Sequence, residues 1–423
     1  MLPIQLFRQN SELIIEGLKK KNFKELALVD TIISLDERRR QLQVENEAIA
    51  AAVNTASKSI GKLMATGDKE GAETLKAEVA QQKDKGKEIS QKLDETEKEL
   101  NEALVRLPNL PHKSVPAGTS PEDNETVRTG NDIPMLDESK LPHWELTTKY
   151  GLIDFELGNK ITGSGFPVYM GQGAKLQRAL IQYFLTFNIE AGYKEYYPPY
   201  MVNEASAYGT GQLPDKEGQM YHVGLDGFYL IPTSEVPVTN IYRDEILQEQ
   251  ELPVKMTAYS PCFRREAGSY GKDVRGLNRL HQFDKVEIVQ LAHPDKSYES
   301  LEDMVSHVER LVQSLGLPYR ILRLCGGDMS FASALTYDFE VYSAAQERWL
   351  EVSSVSNFEM FQANRMKIRY KEENGKTRLV HSLNGSSLAL PRIIACLLEN
   401  NQTAQGIKIP EALQPYFGKE MIN

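Results

Sequence analysis

Cysteine is scarce in this sequence, with three residues among 423, and long apolar runs are missing. Cys262, Cys325 and Cys396 stand far apart and form no Cys-x-x-Cys pair, and no His-Glu-x-x-His segment occurs, so a zinc site has little support. Scattered thiols are typical of an enzyme in the reducing cytoplasm. No apolar run reaches the roughly 18 residues that cross a bilayer, and we expect neither a membrane span nor a secretory signal.

An excess of positive charge is also missing, since the formal net charge is −10. A chain of this charge is not suited to indiscriminate nucleic-acid binding, which needs a broad basic field. It remains compatible with a partner bound through local basic patches. With 41% hydrophobic and 26% charged residues, the composition is that of a globular protein, and 423 residues suggest two or three domains.

Two long heptad patterns occupy the N-terminal quarter of the chain. Between residues 24 and 63 apolar residues recur at alternating steps of four and three, and after a break at Gly67 the spacing resumes from 75 to 107. A heptad interrupted by a glycine-containing turn predicts an antiparallel helical hairpin, which we place at about residues 26–107. Each helix would span about 55–60 Å. By pattern alone, such a coiled coil serves dimerisation or spacing as readily as partner binding.

Polar, turn-rich sequence separates this helical arm from the rest of the chain. Prolines end the second predicted helix, and the segment 111–130 has the composition of a linker. The expected organisation is therefore an arm over residues 1–110 and a second domain over 131–423. In that second domain, a helix predicted at 173–191 runs into a glycine, a short aromatic strand and Pro199.

A charged β-hairpin is predicted in the middle of the chain, over residues 261–290. Two alternating segments flank a loop rich in glycine and charge, which is the pattern of a long antiparallel hairpin. Because side chains alternate between the faces of a strand, we expect Arg264 and Glu266 to share one face. Arg279 and Glu287 share a face of the returning strand by the same argument. Burying such charges unpaired is costly, so they either form surface ion pairs or meet a ligand.

Three further segments carry groups suited to polar ligands. Thr233 and Glu235 place a hydroxyl beside a carboxylate directly after a predicted strand. Glu351 and Ser354 supply the hard oxygens that Mg²⁺ prefers when it is bound to nucleotide phosphates. Arg392 begins an otherwise apolar helix, where an anion explains an arginine better than exposure to solvent does.

The hairpin sequence CFRREAGSYGKDVRGLNRLHQFDKVE resembles motif 2 of the class II aminoacyl-tRNA synthetases, and residue by residue it is similar to that of seryl-tRNA synthetases. The helix, glycine, strand and Pro199 resemble motif 1 of that class. The segment 382–392, which ends in Arg392, resembles motif 3, with Pro391 where many members have glycine. The resemblance implies an α+β protein. It would comprise a long antiparallel coiled-coil arm and a class II catalytic domain built on an antiparallel β-sheet flanked by helices.

The activity that the resemblance implies is ATP-dependent activation of L-serine to seryl-adenylate, followed by transfer to the 3′ end of the serine tRNA. Selenocysteine tRNA stays open as a second acceptor. The family's arm holds the long variable arm of the tRNA by shape and backbone, and motif 1 builds a homodimer. Mg²⁺ accompanies ATP, no zinc is expected, and the compartment is the cytoplasm. Two alternatives stay open: loading of an amino acid onto a carrier protein, and a non-catalytic tRNA-binding paralogue.

The resemblance also implies roles for individual residues. Arg264 would clamp the α-phosphate and the substrate carboxylate, and Arg392 the γ-phosphate, as the catalytic pair. Glu266 would bind the adenine amino group and Phe283 would stack on the base. The nucleotide set is Arg264, Arg265, Glu266, Arg279, Leu280, Phe283, Glu351, Val352, Ser353, Ser354 and Arg392. The serine set is Thr233, Ser234, Glu235, Arg264, Glu287 and Ser386. The Mg²⁺ ligands are Glu351 and Ser354. Our candidates for tRNA contact are Arg38, Arg39, Arg40, Lys83, Lys85, Lys87 and Arg275.

Overall fold

A computed structural model describes residues 1–215, 217–266 and 275–423 of the chain. The glycines and charges that we assigned to the hairpin loop (Gly268, Gly271, Lys272 and Asp273) lie outside the described residues. The chain folds as two compact units. One unit, called the arm below, comprises Leu2–Lys19 and Phe23–Pro108. The other, called the body, comprises Met1, Lys20–Asn22 and Asn109–Asn423.

The helices are numbered along the chain. They are α1 (Ile4–Gln9), α2 (Ser11–Lys20), α3 (Leu28–Thr66), α4 (Lys69–Leu104), α5 (His143–Lys149), α6 (Phe155–Ile161), α7 (Gly171–Glu190), α8 (Glu204–Thr210), α9 (Glu235–Asn240), α10 (Ser297–Ser314), α11 (Phe361–Met366), α12 (Leu390–Asn400) and α13 (Gln414–Phe417). Within the described parts of the chain, none of these helices has the length and apolar character needed to cross a membrane.

The strands are numbered in the same way. They are β1 (Glu125–Gly130), β2 (Ile153–Asp154), β3 (Val168–Tyr169), β4 (Lys194–Glu195), β5 (Met201–Asn203), β6 (His222–Val223), β7 (Phe228–Leu230), β8 (Ile246–Gln248), β9 (Val254–Phe263), β10 (Gln282–Ala292), β11 (Tyr319–Arg323), β12 (Leu335–Ser343), β13 (Arg348–Asn357), β14 (Arg369–Lys371), β15 (Thr377–Leu379), β16 (His381–Ala389), β17 (Gln402–Thr403), β18 (Gly406–Lys408) and β19 (Met421–Ile422).

The arm is the antiparallel helical hairpin that the heptads predict. Helix α3 has 39 residues and α4 has 36. Gly67 ends α3 with φ of 85°, a left-handed conformation that glycine adopts without steric cost. The next residue, Asp68, is the N-cap of α4, and its side chain accepts a hydrogen bond of 2.9 Å from the Gly71 amide. The turn between the two helices is therefore specified by two adjacent residues.

Gly86 is needed where the two arm helices approach each other. A glycine inside a helix is unfavourable by about 1 kcal/mol relative to alanine. A Cβ built on Gly86 would lie 3.2 Å from Cγ2 of Ile49, closer than ordinary van der Waals contact. Ile49 is buried in the seam, as are Val79 and Ile89 of α4. We infer that the missing side chain at residue 86 allows Ile49 to pack against the opposite backbone.

The body is organised around an eight-stranded sheet with the order β1-β11-β12-β13-β16-β10-β9-β4. Neighbouring strands are antiparallel except at the edge, where β4 runs parallel to β9. The predicted central hairpin is confirmed, because β9 and β10 pair antiparallel with Phe263 opposite Gln282. Strand β16 lies on the other side of β10, and its Ser386 is paired with Glu287. Residues distant in sequence are thereby brought together at the centre of the sheet.

Three amphipathic helices cover this sheet and bury its apolar residues. Helix α7 packs on β9 and β10, α12 packs on β10, β12 and β13, and α10 packs on β13 and β16. Leu180 and Phe184 of α7, Leu301 and Val308 of α10, and Ile393 of α12 are fully buried in one hydrophobic cluster. The helix predicted at 173–191 is thus present as α7 (Gly171–Glu190). The apolar stripes of all three helices face the sheet, as the spacing requires.

The segment 111–130, which we predicted as a linker, ends in a strand of the central sheet. Strand β1 pairs with β11 at the sheet edge. It was not recognised because it is rich in polar residues and has no fully buried position. Its pairing is supported by ion pairs: Arg128 lies 3.0 Å from Glu302 and 2.8 Å from Glu309. Such partners cannot be identified from the local sequence.

Candidate active site

A cavity of about 630 Å³ lies in the body, beside strands β9, β10, β13 and β16 and the start of α12. Most of the predicted nucleotide and serine residues line it: Thr233, Glu235, Arg264, Glu266, Arg279, Leu280, Phe283, Glu287, Glu351, Val352, Ser353, Ser354, Ser386 and Arg392. Two do not. Ser234 is fully buried and its hydroxyl lies 2.5 Å from that of Ser260. Arg265 does not line the cavity either, and its backbone amide donates to the Gln219 carbonyl at 2.9 Å.

Arg264 is positioned by the end of the central hairpin. Its amide donates to the His281 carbonyl at 2.9 Å, which aligns the chain just beyond the last paired residues. Nε donates to the Pro232 carbonyl at 3.4 Å, and the guanidinium lies 5.2 Å from the centre of the Phe283 ring. A cation over an aromatic face is attracted by the ring quadrupole. The charge of Arg264 is therefore directed to one wall of the cavity.

The prediction that strand alternation places the hairpin charges on shared faces is wrong, although Glu266 and Arg279 do form an ion pair. Strand β9 ends at Phe263 and β10 begins at Gln282, so Arg264, Glu266 and Arg279 lie outside the strands and strand alternation does not apply to them. Glu266 adopts φ of 49°, and its carboxylate lies 3.0 Å from Nη1 of Arg279. The irregular backbone at the hairpin ends brings this pair to the cavity.

Arg392 is held by two backbone carbonyls at the start of α12. Nη1 donates to the Glu351 carbonyl at 2.7 Å and Nε to the Asn278 carbonyl at 3.1 Å. Pro391 occupies the first turn of the helix, where its missing amide hydrogen is not needed. The carbonyl acceptors orient the guanidinium without neutralising it, and the Glu351 carboxylate lies at a longer distance of 3.8 Å from Nη1. An incoming anion can therefore compete for Arg392.

The residues near Glu351 fit a hard divalent cation. Ser354 is paired across the sheet with Asp338, and Oδ1 of Asp338 is buried with no hydrogen-bond partner among the described residues. Burial, followed by the charge of Glu351, raises the pKa of Asp338 well above its usual range. The described part of the chain contains no cluster of three His, Cys, Asp or Glu side chains placed to hold a metal. A cation at Glu351 and Ser354 would therefore depend on ligand phosphates for further oxygens.

Lys285 completes the polar end of the cavity and was not predicted. Its ammonium lies 2.9 Å from Oγ1 of Thr233 and 2.7 Å from a carboxylate oxygen of Glu287. All three side chains are buried. Strand alternation could have identified it, because Lys285 and Glu287 are two residues apart on β10 and share a face.

A second buried carboxylate, Glu235, faces the same end of the cavity. Its Oε1 accepts a hydrogen bond of 2.6 Å from Gln362 of α11. Burial raises the pKa of Glu235 to about 7, and the charge of Glu287 adds to this effect while Lys285 opposes it. Among the described residues at this end, the carboxylates of Glu235 and Glu287 therefore face the single ammonium of Lys285, an arrangement that suits an added ammonium group.

Helix α11 also supplies a cavity arginine that we did not predict. Nη1 of Arg365 donates to the carbonyls of Tyr208 and Leu213 at 3.0 and 2.9 Å. Nε and Nη2 are buried, and neither has a hydrogen-bond partner among the described residues. Neither Gln362 nor Arg365 belongs to a recognisable motif, since both stand in a six-residue helix with no distinctive pattern.

Several of the predicted tRNA contacts in the arm are held by acidic side chains. Asp36 is only 2% exposed and lies 3.0 Å from Arg39 and 3.3 Å from Arg40. Lys85 lies 3.1 Å from Glu45, and Lys87 lies 3.1 Å from Asp84. Arg38 and Lys83 are exposed. In the body, the guanidinium of Arg275 lies 4.6 Å from the centre of the Trp144 ring. Exposed ion pairs are worth about 0–1 kcal/mol, so the two lysines can be recruited by a stronger anion.

The largely antiparallel sheet and its arginine-lined cavity fit the class II aminoacyl-tRNA synthetases. Family models agree: residues 221–401 match the tRNA synthetase class II core domain (G, H, P, S and T), and residues 1–111 match the seryl-tRNA synthetase N-terminal domain. The serine–tRNA ligases of Salinibacter ruber and Neisseria meningitidis serogroup B are 50% and 48% identical to this chain. Each comparison covers 99% of the chain and 98% of the relative. The chain belongs to the seryl-tRNA synthetase family.

Solved structures support the same assignment. A seryl-tRNA synthetase from Pyrococcus horikoshii, crystallised with ATP, superimposes with a TM-score of 0.92 at 33% identity. The superposition covers 100% of this chain and 99% of that one. A cytoplasmic serine–tRNA ligase from Naegleria fowleri, in complex with AMP, gives a TM-score of 0.88 at 29% identity. The predicted fold class is confirmed.

Proposed function

We propose that the protein activates L-serine with ATP and transfers the seryl group to the 3′ end of a serine tRNA. The observation that carries this proposal is one cavity lined by two kinds of charged group. Arg264 and Arg392 supply cations, and Glu235 and Glu287 supply buried carboxylates. The arginines suit nucleotide phosphates, and the carboxylates suit the ammonium and hydroxyl groups of a small amino acid. The relatives named serine–tRNA ligase support the same substrates.

The activation step places two anions against each other. A serine carboxylate oxygen attacks the α-phosphorus of ATP, a new oxygen–phosphorus bond forms, and the bond to the bridging oxygen breaks as pyrophosphate leaves. No general base is required because the carboxylate is already ionised. Catalysis then consists of positioning and charge neutralisation. Arg264 would neutralise the reacting phosphate and carboxylate, and Arg392 the γ-phosphate, in bidentate contacts that lysine cannot reproduce.

Serine is selected through polar contacts at the buried end of the cavity. Thr233, Lys285 and Glu287 form a hydrogen-bonded chain there, and Ser386 lies opposite Glu287 in the sheet. A site built to bond a hydroxyl rejects an analogue without one by about 10⁴–10⁵ in favourable cases. Alanine is excluded by this mechanism, and threonine by the size of the pocket.

Serine-dependent exchange of labelled pyrophosphate into ATP tests the activation step directly. We expect exchange with serine and little with alanine or threonine at equal concentration. Charging of serine tRNA by the same preparation tests the transfer step. Exchange without charging would favour the carrier-protein alternative. Binding of the tRNA without either activity would favour the non-catalytic paralogue.

Glu351→Gln tests the proposed Mg²⁺ ligand. When bound, Mg²⁺ would neutralise charge on the nucleotide phosphates, and Glu351 and Ser354 are the residues that would hold it. Loss of a hard anionic ligand should raise the Mg²⁺ concentration needed for half-maximal exchange. Glu372→Gln, at a pair with Arg378 outside the cavity, serves as the control. An unchanged Mg²⁺ titration for Glu351→Gln would assign this carboxylate to pairing with Arg392, which lies 3.8 Å from it.

Glu235→Gln should stabilise the substrate-free protein at alkaline pH and weaken serine binding. The pKa of Glu235 is raised from 4.5 to about 7 in the folded state. Its contribution to stability is therefore present below about pH 4.5 and is lost as pH rises through 7. The variant, which stays neutral, should melt at a higher temperature than wild type at pH 8, and at the same temperature near pH 4. Its KM for serine should be raised at pH 8. Identical melting curves at both pH values would show that Glu235 is not a strained carboxylate.

The partners and compartment follow from the same assignment. The arm, residues 1–110 by our sequence boundaries, would hold the variable arm of the tRNA, and 131–423 would carry catalysis. A homodimer would form around Pro199, where Tyr197 and Met201 are 77% and 51% exposed despite their apolar surface. Cys262, Cys325 and Cys396 are buried free thiols, which supports the cytoplasm as the compartment.

A further inference from the structure

Two residues at the ends of the arm sequence bind one short stretch of the cavity wall. Lys21 stands between the arm segments Leu2–Lys19 and Phe23–Pro108, and Asn109 follows the second segment directly. Both belong to the body. Neither belongs to any motif recognised in the sequence. Both contact the segment Ser330–Ser333, called the wall segment below, of which Ser330, Phe331 and Ala332 line the cavity.

Lys21 and Asn109 together satisfy every backbone carbonyl of the wall segment. The Lys21 ammonium donates to the carbonyls of Ser330, Phe331 and Ser333 at 2.6, 3.3 and 2.8 Å. The backbone amide of Asn109 donates to the Phe331 carbonyl at 2.9 Å. Its side-chain nitrogen donates to the Ala332 carbonyl at 2.9 Å and to the carbonyl of Phe358, another cavity-lining residue, at 2.8 Å. An ammonium has three donors, and here all three have carbonyl acceptors.

This arrangement is demanding for a lysine. Lys21 is partly buried, and this burial lowers its pKa to about 7, so the charged form is retained at a cost in solvation. Hydrogen bonds from a charged donor are about twice as strong as neutral ones. The carbonyls of Ala332 and Ser333, both buried residues, would be costly to leave without donors. A neutral side chain of the same length could pack here but could not hold the wall segment in this conformation.

The wall segment lies near the serine end of the cavity. A Cβ built on Gly211 would contact the Ala332 Cβ at 3.6 Å. The neighbouring Thr210 carbonyl accepts a hydrogen bond of 3.0 Å from Gln362, whose same nitrogen donates to Glu235 at 2.6 Å. The phosphate-side Arg392 is instead held by carbonyls of Glu351 and Asn278. Displacement of the wall segment would therefore reach the serine contacts before the phosphate contacts.

We propose that Lys21 and Asn109 are positioning residues for the serine pocket, which they shape by holding the wall segment through its carbonyls. The inference deepens the proposed function and rests on it. It also gives a role in serine activation to residues that flank the arm segments in sequence, because Lys21 and Asn109 both bind the wall segment. Loss of either residue should weaken serine binding without a matching loss of ATP binding.

The test compares Lys21→Met and Asn109→Leu with wild type in pyrophosphate exchange. We expect the KM for serine to rise by about tenfold in each, since small misplacements of binding groups cost this much or more, with the KM for ATP nearly unchanged. Lys21→Arg, which keeps a charged multiple donor, should restore much of the serine affinity. Lys20→Met is the matched control, because the Lys20 ammonium makes a long contact of 3.4 Å with the Lys113 carbonyl, away from the wall segment.

Each result decides the proposal. A lower melting temperature with unchanged KM values would show a purely structural role and overturn it, as would equal increases in the KM for serine and ATP. If Lys21→Met does not fold, Asn109→Leu and the arginine variant carry the same comparison. Absence of serine-dependent exchange in wild type would overturn the proposed function itself, a result distinct from any variant effect.

Discussion

Replacing Arg264 with alanine is expected to abolish adenylate formation while leaving the protein folded. The guanidinium is fixed by the Pro232 carbonyl and the Phe283 ring, and it would meet charge that develops at the reacting phosphate. Loss of one such donor costs at least about 3 kcal/mol, or a factor of more than about 10² in rate. The test is the rate of serine-dependent pyrophosphate exchange by the variant. A melting curve of the same preparation checks that the variant is folded.

The control for this variant is Arg378→Ala, which removes an arginine on the small sheet of β8, β14 and β15, where it pairs with Glu372. It should exchange pyrophosphate like wild type. A rate for Arg264→Ala within a few-fold of wild type would mean that the hairpin end is not the reacting wall. The roles given to Glu266 and Arg279 would then need revision, because they line the same cavity at the ends of the hairpin.

Shortening the arm is expected to separate activation from tRNA charging. The structure shows where to cut: Ile49 lies opposite Gly86, and Glu45 pairs with Lys85, so residues 43–92 form one removable hairpin end. Joining the cut helices with the Gly67–Asp68 turn keeps the pair of Arg8 and Asp36 at 2.7 Å. Pyrophosphate exchange should persist. The kcat/KM for tRNA charging should fall by at least about tenfold, since phosphate contacts supply most of such affinity.

A full-length variant with Lys83, Lys85 and Lys87 replaced by glutamine separates charge from shape in this experiment. A matching loss of tRNA affinity, with weaker salt dependence, would assign the contacts to these lysines. If the glutamine variant charges tRNA normally while the shortened protein does not, the tRNA contacts lie elsewhere on the arm. If the shortened protein also loses pyrophosphate exchange, the arm is needed for catalysis. If the shortened protein charges tRNA normally, the arm serves another partner. The cut retains Lys21 and Asn109, so it does not disturb the wall segment.

Local patterns were sufficient where a structure depends on neighbours in sequence. The heptads of α3 and α4, the Gly67 turn and the pairing of β9 with β10 were predicted, because helical and strand periodicities are read within a few residues. Motif residues such as Arg264 and Arg392 were recognised by resemblance, and they line the cavity, although their individual roles stay predictions. Strand alternation failed for Arg264 and Glu266 because the hairpin leaves regular β geometry at Phe263.

The sequence by itself thus determined the family, the coiled-coil arm and most residue types of the candidate site. These depend on motifs and periodicities among residues that are close together in the chain. Only the tertiary structure decided which groups share one low-dielectric environment. It alone joined Lys285 to Thr233, placed Ser234 away from the cavity, paired Asp36 with Arg8, and set Lys21 against Ser333. Lys21 and Ser333 are 312 residues apart. The physical reason is that burial and hydrogen bonding depend on distance in space, and no periodicity of the chain encodes a contact over such a separation.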